Sequence, residues 1–261
     1  MALVRPTPPC KRGRMSTSLL KQVPPQPTRY WFDHVLDPDQ SARFRAVLTT
    51  HSRHYAAGRL IKSDADESHA IYVVMDGWAS IFKSMPEGQT QIIDFGLPGD
   101  FFDLTAVDGV TVAMGLETVT DATIAAVPLA EWLALERAVP QLAQVNTKET
   151  AAIRTRIAER MLRLGRGKAD ERLAYAFLEM GVRTGAMRDD TMNCYHMPVT
   201  QQQIGELMGL TAVHVCRTLR RMARQGLVST ADHIDLCICD RAALEDLAGI
   251  TAETLAQEIQ P

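Results

Sequence analysis

Apolar and polar residues alternate in short runs between Tyr55 and Pro128. Three of these runs, 70–75, 78–83 and 91–96, are each followed by Gly or Pro turn residues, and a fourth alternating stretch covers 116–127. A period of two is typical of strands with one buried face, and Gly and Pro favour the turns between strands. The pattern therefore predicts a small antiparallel β-barrel or sandwich.

After Pro140 the chain has no Gly or Pro as far as Leu164, and its apolar residues recur near heptad spacing, interrupted by Glu149. This predicts one helix of ~24 residues, about 36 Å long, whose apolar stripe must be buried. The spacing permits a twin helix in a parallel dimer, and packing on the chain's own barrel is the alternative. The stripe consists of Leu142, Val145, Ala152, Ile153, Ile157, Met161 and Leu164.

Residues 198–226 predict two short helices joined by a tight turn. Thr200 and Gln203 have the spacing of a capping box for the first helix, and Gly209 suits a left-handed turn after it. Thr211 is the expected N-cap of the second helix. The predicted inward-facing residues are Ile204, Leu207, Met208, Val215, Leu219 and Met222.

The second of these helices is basic, with Arg217, Arg220, Arg221 and Arg224 on its outer face and no acidic residue between Thr211 and Gly226. A basic helix packed behind a first helix is the arrangement that enters the major groove of DNA. A solvated amphipathic hairpin is the plainer alternative. Because caps, turn, apolar positions and charge agree, we interpret the segment as a helix-turn-helix.

Further elements are predicted on either side of this segment. A helix covers 172–180, and residues 181–197 form a polar connection. After the basic helix, 227–229 and 234–238 predict two strands joined by a turn at 231–233, which together form a wing. A short helix follows over 241–247.

The order of barrel, long helix and helix-turn-helix resembles the Crp/Fnr transcription regulators over residues ~30–250. Three stretches carry the resemblance: Ile71–Ala79, Leu97–Leu104 and Pro198–Arg221. It implies an α+β fold with an antiparallel, jelly-roll-like β-roll, a long dimerisation helix and a C-terminal winged helix-turn-helix. The expected segments are a basic, Pro-rich disordered tail (1–29), a cyclic-nucleotide-binding-like sensor domain (30–135), the dimerisation helix (136–166) and the DNA-binding domain (167–261).

The resemblance implies a homodimeric, sequence-specific transcription regulator on a two-fold symmetric double-stranded DNA site. Arg217 matches the arginine that family members place on a guanine, with Val213, His214 and Cys216 as neighbouring base-reading positions. Cyclic-nucleotide receptors and oxygen sensors of the family carry a Glu near Val213, which this chain lacks. The expected phosphate contacts are Thr200, Thr211, Arg220, Arg221 and Arg224.

The expected effector pocket departs from the cyclic-nucleotide-binding pattern. Members that bind a cyclic nucleotide have a Gly-Glu pair and then an Arg-Ser or Arg-Ala pair, where this chain has Asp103-Leu104 and Val112-Ala113. No Arg or Lys lies between Lys83 and Arg137, so a bound phosphate would be buried without a cation. We therefore predict no cyclic nucleotide, and an unknown small-molecule effector, in a pocket formed by Phe101, Phe102, Asp103, Leu104, Val112 and Ala113.

The cysteines and histidines do not indicate a metal cofactor. Cys10 is the only cysteine before residue 190, which excludes a four-thiolate iron–sulfur cluster in the sensor domain. His51, His54 and His69 are interpreted as surface residues, so heme is not favoured. The five cysteines are expected to be reduced thiols. Cys237 and Cys239 are interpreted as small strand residues on one face, with His233 leaving a metal role open.

Charge is unevenly distributed along the 261 residues, whose net charge is −3. Residues 31–150 carry 8 Lys/Arg against 17 Asp/Glu, whereas 151–261 carry 14 of each. The basic helix therefore forms one localised footprint for DNA. The chain has no apolar run of about 18 residues and no signal peptide, so we predict a cytoplasmic protein without a membrane segment. Translation could start at Met1 or Met15.

The motifs examined argue against an enzyme, because no Gly-rich phosphate loop, His-Glu-x-x-His zinc motif or Gly-x-Ser-x-Gly elbow occurs. The alternative function is a cyclic-nucleotide-like regulatory or protein-interaction module without specific DNA binding. RNA polymerase is a further candidate partner for a transcription regulator.

Overall fold

The computed structural model describes residues 35–106, 112–187, 193–231 and 235–259. The chain divides into two compact units between Ala158 and Glu159. The predicted N-terminal tail lies outside the described residues. None of the helices within the described ranges is long and apolar enough to cross a membrane.

The first unit consists of eight strands with helices before and after them. In chain order these are α1 (Pro38–His51), β1 (Ser52–Tyr55), β2 (Leu60–Lys62), β3 (Ala70–Asp76), β4 (Ala79–Ser84), β5 (Thr90–Gly96), β6 (Phe101–Asp103), β7 (Gly115–Thr118), β8 (Ala122–Pro128), α2 (Leu129–Ala138) and the start of α3 (Pro140–Arg166). The strands form two four-stranded sheets, ordered β1-β8-β3-β6 and β2-β7-β4-β5. The pairs within both are antiparallel, which confirms the predicted antiparallel β domain.

Two apolar clusters stabilise this unit. In the first, α1, β3, β8, α2 and the start of α3 bury residues around Trp132, which lies 5.3 Å from Phe101 and 5.9 Å from Phe44 between ring centroids. The second fills the space between the sheets with side chains such as Phe102, Leu104 and Leu116. Burial of this much apolar surface is the main stabilising term for a domain of this size.

Helix α3 divides the predicted apolar stripe between two faces. Leu142 and Val145 are buried in the first cluster, with exposed fractions of 1% and 4%. The sequence-based prediction that these two residues lie in a helix–helix interface is therefore corrected. Side chains of their own unit already bury them. Ile153 and Ile157 are half-buried, whereas Met161 is exposed. With about 100° of rotation per residue, Ile157 and Met161 lie on a face next to the buried one, whereas Ile153 lies at the boundary and packs against the cluster between the sheets.

The buried face of α3 also carries a buried ion cluster. Arg156 Nε and Nη2 lie 3.0 and 2.9 Å from Asp94 Oδ2 on β5, and Nη2 lies 3.6 Å from Glu149 Oε1. All three side chains are 2% exposed. Glu149, which interrupts the stripe in the sequence, is therefore part of the face that packs on the sheet.

The second unit contains the remaining helices and a three-stranded sheet. Its elements after α3 are α4 (Ala169–Arg183), β9 (Cys194–His196), α5 (Gln201–Met208), α6 (Ala212–Arg224), β10 (Val228–Ala231), β11 (Asp235–Ile238), α7 (Arg241–Ala248) and α8 (Ala252–Ile259). The antiparallel sheet has the order β10-β11-β9. Strands β10 and β11 are the predicted wing, most of whose turn lies outside the described residues.

Strand β9 and a disulfide correct two sequence-based expectations. β9 lies within the segment predicted to be a polar connection, and its Cys194 is directly opposite Cys237 of β11. These two cysteines form a disulfide with Cα atoms 4.0 Å apart, so the expectation of reduced thiols is wrong for them. Cys239 lies beyond the end of β11 and therefore does not share a strand with Cys237.

Candidate nucleic-acid interface

Local interactions at both ends determine where helix α5 begins and where it ends. Thr200 and Gln203 form the capping box, with Gln203 N donating to Thr200 Oγ1 at 3.1 Å. Gly209 ends the helix in the left-handed region, at φ 62°. Gly205 is required for the turn because a Cβ there would lie 2.3 Å from Leu210 O. The turn that leads to α6 is therefore specified by the predicted residues and by Gly205.

Helix α6 has one buried and one exposed face. Thr211 caps it by accepting from His214 N at 3.2 Å. Val215, Leu219 and Met222 are buried, as predicted, and Thr218 is buried beside them. The opposite face is open to solvent, so its side chains are free to contact a ligand as large as DNA.

The exposed face carries the four predicted arginines. Arg217, Arg220, Arg221 and Arg224 line one surface depression together with Ala223. Arg221 Nη2 contacts Asp170 Oδ2 at 3.2 Å, and Arg224 Nε donates to Arg220 O at 3.3 Å. A phosphate that binds Arg221 therefore competes with Asp170, a partner that the sequence did not reveal.

The predicted base-reading residues lie toward the N-terminus of α6. Val213, His214 and Arg217 are exposed, and Cys216 is half-buried with a free thiol. Val213 and Arg217 are four residues apart, which places them on the same side of the helix. The structure thus brings these residues together on the surface that includes the basic depression. Thr200 and Thr211 are exposed at the starts of α5 and α6.

Arg172 positions the helix-turn-helix, although the sequence analysis missed it. Its guanidinium donates to three carbonyl oxygens: Gly167 at 3.0 Å, Leu164 at 2.9 Å and Met208 at 3.2 Å. The first two carbonyls lie at the end of α3 and the third is in the last turn of α5. A planar group with five donors is suited to joining two helix ends in this way.

Buried charges stabilise the helices that support the interface. Glu179 on α4 accepts from Arg160 at both carboxylate oxygens, with Nε to Oε2 at 2.9 Å, and Arg183 Nη1 lies 3.5 Å from Oε1. Arg163 lies 4.1 Å above the ring of Tyr175 and donates to Ala248 O at 3.1 Å. The predicted interface residue Leu164 lies next to Arg163 and is half-buried.

Two buried tyrosines in this unit have raised pKa values. Burial is the main cause for both, and the charge of Glu179 adds to it. Tyr195 donates to Phe177 O at 2.6 Å. Among the described residues, the hydroxyl of Tyr175 has no hydrogen-bond partner.

The predicted effector-pocket residues of the sensor unit lie in different environments. Phe101 belongs to the cluster around Trp132, whereas Phe102 and Leu104 belong to the cluster between the sheets. Asp103 is exposed and accepts from Thr105 N at 3.0 Å and Thr105 Oγ1 at 2.6 Å. Val112 packs against the cluster between the sheets, and Ala113 is half-buried. The residues between them, 107–111, lie outside the described ranges.

Lys62 supplies a cation beside Val112 and Met114 that no pattern in the sequence indicates. The residue is 3% exposed, and its ammonium donates to Met114 O at 2.9 Å, Ser63 O at 3.1 Å and Val112 O at 3.5 Å. Burial lowers the pKa of Lys62. The sequence does not reveal this contact because Lys62 lies far from Val112 and Met114 in sequence and approaches them only through the pairing of β2 with β7.

Comparisons with known proteins match both units. Residues 52–138 match the cyclic nucleotide-binding domain, and residues 171–247 match the Crp-like helix-turn-helix domain. The nitrogen fixation regulation protein FixK of Bradyrhizobium diazoefficiens is 29% identical over 198 residues, which is 75% of this chain and 81% of that protein. FixK of Azorhizobium caulinodans is 29% identical over 227 residues, covering 85% of this chain and 91% of that protein.

A solved structure supports the same grouping. FixK2 from Bradyrhizobium japonicum superposes with a TM-score of 0.65 and 26% sequence identity, covering 75% of this chain and 96% of FixK2.

Proposed function

Starting from the membership of this chain in the Crp/Fnr family of transcription regulators, we propose that it binds two-fold symmetric DNA sites as a homodimer. The observation that carries the proposal is the exposed face of α6, which presents four arginines beside an exposed base-reading segment. In this proposal the protein regulates transcription and is not an enzyme. It acts in the cytoplasm, and RNA polymerase is a further partner.

Within that proposal, α6 lies in the major groove and its arginines have different roles. Arg217 donates to O6 and N7 of a guanine, the strongest specific contact that an arginine makes in this groove. His214 and Cys216 lie close enough to contact neighbouring base edges. Thr200, Thr211, Arg220, Arg221 and Arg224 contact phosphates, which fix the position of the helix without selecting a sequence.

Selection of bound sites from a random DNA pool tests this division of roles. Arg217→Ala should cost about 1–3 kcal/mol per half-site and relax the preference at one base pair. Arg224→Ala is the matched control on the same helix, and it should weaken binding to all sequences alike, with a smaller salt dependence. An unchanged motif for Arg217→Ala would show that the helix is not docked in this way.

The dimer is proposed to form through the apolar face of α3 that lies beside its buried face. That face consists of Ile157, Met161 and Leu164, with Ile153, which also packs against the cluster between the sheets, at its edge; Met161 is 67% exposed. The spacing of four, four and three residues is close to a heptad repeat, so a second copy can pack against it along the helix.

Light scattering of two charged variants tests the dimer. Ile157→Glu places a carboxylate in the proposed seam and should give a monomer at micromolar concentration, because burying an unpaired charge costs several kcal/mol. Ala151→Glu is the control, since Ala151 is exposed on another side of the same helix. A monomeric wild-type protein would refute the proposal.

For the sensor unit, we propose a small-molecule effector other than a cyclic nucleotide. Three observations support this: Leu104 is buried where binding members have Glu, Val112 packs on the core, and the ammonium of Lys62 is occupied by carbonyl groups. A cyclic phosphate would have to displace these contacts to obtain a cation. We also propose that the sensor unit holds neither an iron–sulfur cluster nor heme. His51 contacts Glu131 at 2.8 Å and is not assigned as an axial heme ligand.

Calorimetric titration with cyclic AMP and cyclic GMP tests the absence of nucleotide binding. We expect dissociation constants no tighter than about a millimolar, equivalent to roughly 4 kcal/mol. Micromolar affinity for either nucleotide would refute the assignment of Asp103-Leu104 and Val112-Ala113 to the ribose and phosphate positions.

A further inference from the structure

Val213 is an apolar side chain of α6 that its own unit does not bury. It is 62% exposed, whereas the other large apolar side chains of α6, Val215, Leu219 and Met222, are buried. It lies in the first turn, directly after Thr211 and Ala212. A β-branched residue at an exposed helical position loses rotamer freedom relative to alanine and buries no surface in return.

The position of Val213 is one from which a docked helix reads bases. The N-terminal residues of a recognition helix contact base edges, and Val213 shares a side of α6 with Arg217. The two are four residues apart, about 6 Å along the helix axis. Since bases of one strand are stacked about 3.4 Å apart, Val213 lies within about two base pairs of the base that Arg217 contacts.

The chemistry of valine selects one base edge. Its side chain has neither donor nor acceptor, so burying it against the polar edge of guanine, cytosine or adenine would leave a base atom without a hydrogen-bond partner. In the major groove, the 5-methyl group of thymine is the one apolar feature of the bases. A carboxylate at this position would instead accept from the amino group of cytosine.

We propose that Val213 is a specificity-determining residue that recognises a thymine methyl group within about two base pairs of the guanine bound by Arg217. This inference rests on the proposed DNA-binding function and adds to it the identity of a second base in each half-site. It also predicts that the half-site differs from those of family members with a glutamate here, because valine cannot accept a hydrogen bond from cytosine.

Removing single methyl groups from the DNA tests the proposal. A duplex selected by the wild-type protein from a random pool is resynthesised with deoxyuridine replacing each thymine in turn. Loss of the methyl contacted by Val213 should weaken binding about fourfold per half-site, and about fifteenfold when both half-sites are changed, as expected for one buried methyl-sized group. Deoxyuridine at the other thymines is the internal control.

Two variants assign the effect to Val213. Val213→Ala should bind the unmodified duplex more weakly and lose its sensitivity to deoxyuridine, while keeping the guanine preference that depends on Arg217. Val213→Glu should select cytosine at this position in a new selection. Alanine is a better helix former than valine, so the first variant keeps α6 folded.

The outcomes separate this inference from the function on which it rests. If a motif is selected but no thymine is sensitive to deoxyuridine, or if Val213→Ala retains the sensitivity, the assignment of Val213 is overturned and DNA recognition stands. If the wild-type protein selects no motif, the DNA-reading proposal itself fails.

Discussion

Replacing Arg156 by alanine is expected to lower the free energy of unfolding of the first unit by about 3–5 kcal/mol. Arg156 contacts Asp94 with two nitrogens and lies 3.6 Å from Glu149, and all three side chains are 2% exposed. The magnitude of about 0–1 kcal/mol for surface ion pairs therefore does not apply. Without the arginine, two buried carboxylates lose the cation between them, and one of them lies on β5.

The measurement is urea unfolding followed by tryptophan fluorescence in a Trp31→Phe background. The chain has three tryptophans, and the remaining two, Trp78 and Trp132, both lie in the first unit, so fluorescence reports its unfolding. Arg154→Ala is the matched control, because Arg154 is exposed on the same helix and its loss should change stability by no more than about 0.5 kcal/mol.

A double-mutant cycle makes the test independent of the size of the single effect. Arg156→Ala and Asp94→Ala together should destabilise the unit less than the sum of the two single changes, with a coupling of about 1–3 kcal/mol. If Arg156→Ala costs less than about 1 kcal/mol, or if the two changes are additive, the buried ion cluster does not stabilise the helix on the sheet.

Further predictions concern the second unit. Tyr195→Phe should cost about 1 kcal/mol because it removes the hydrogen bond to Phe177 O, whereas Tyr175→Phe should be close to neutral; urea unfolding by circular dichroism compares them. Since burial raises the pKa of both tyrosines in the folded state above the usual value of 10.0, stability should fall as pH rises above 10, and less steeply in the double Phe variant. Reducing the Cys194–Cys237 disulfide should lower the free energy of unfolding by about 2–4 kcal/mol. Alkylation without reduction should leave Cys194 and Cys237 unmodified, whereas Cys216, a free thiol in the described part of the chain, should react.

The helix-turn-helix could be predicted from the sequence because its determinants are local. The capping box of Thr200 and Gln203, the left-handed Gly209 and the Thr211 cap all act within three or four residues. The buried positions of α5 and α6 follow a helical period, which a single sequence displays directly.

Other features depend on residues distant in sequence and could not be predicted in the same way. Lys62 reaches Met114 only because β2 pairs with β7, and β9 has three residues, too few for a visible alternation. Arg172 was missed because its partners are backbone carbonyls, which leave no pattern of residue types. Sequence patterns record which face is apolar, but not which polar groups meet across a fold.

Glu149 and Arg156 show that charged residues within an apolar stripe can determine how a helix is rotated about its axis. Leu142 and Val145 would keep most of their contacts if α3 rotated slightly, since apolar packing is non-directional. The guanidinium of Arg156, by contrast, donates one hydrogen bond to Asp94 through Nε and forms an ion pair with it through Nη2, and it would lose both contacts on rotation. The buried cluster therefore fixes the rotation of α3 about its axis, and that rotation directs Ile157 and Met161 to the face proposed for a second copy. The charged residues that break the heptad pattern are thus the ones that orient the proposed dimer seam.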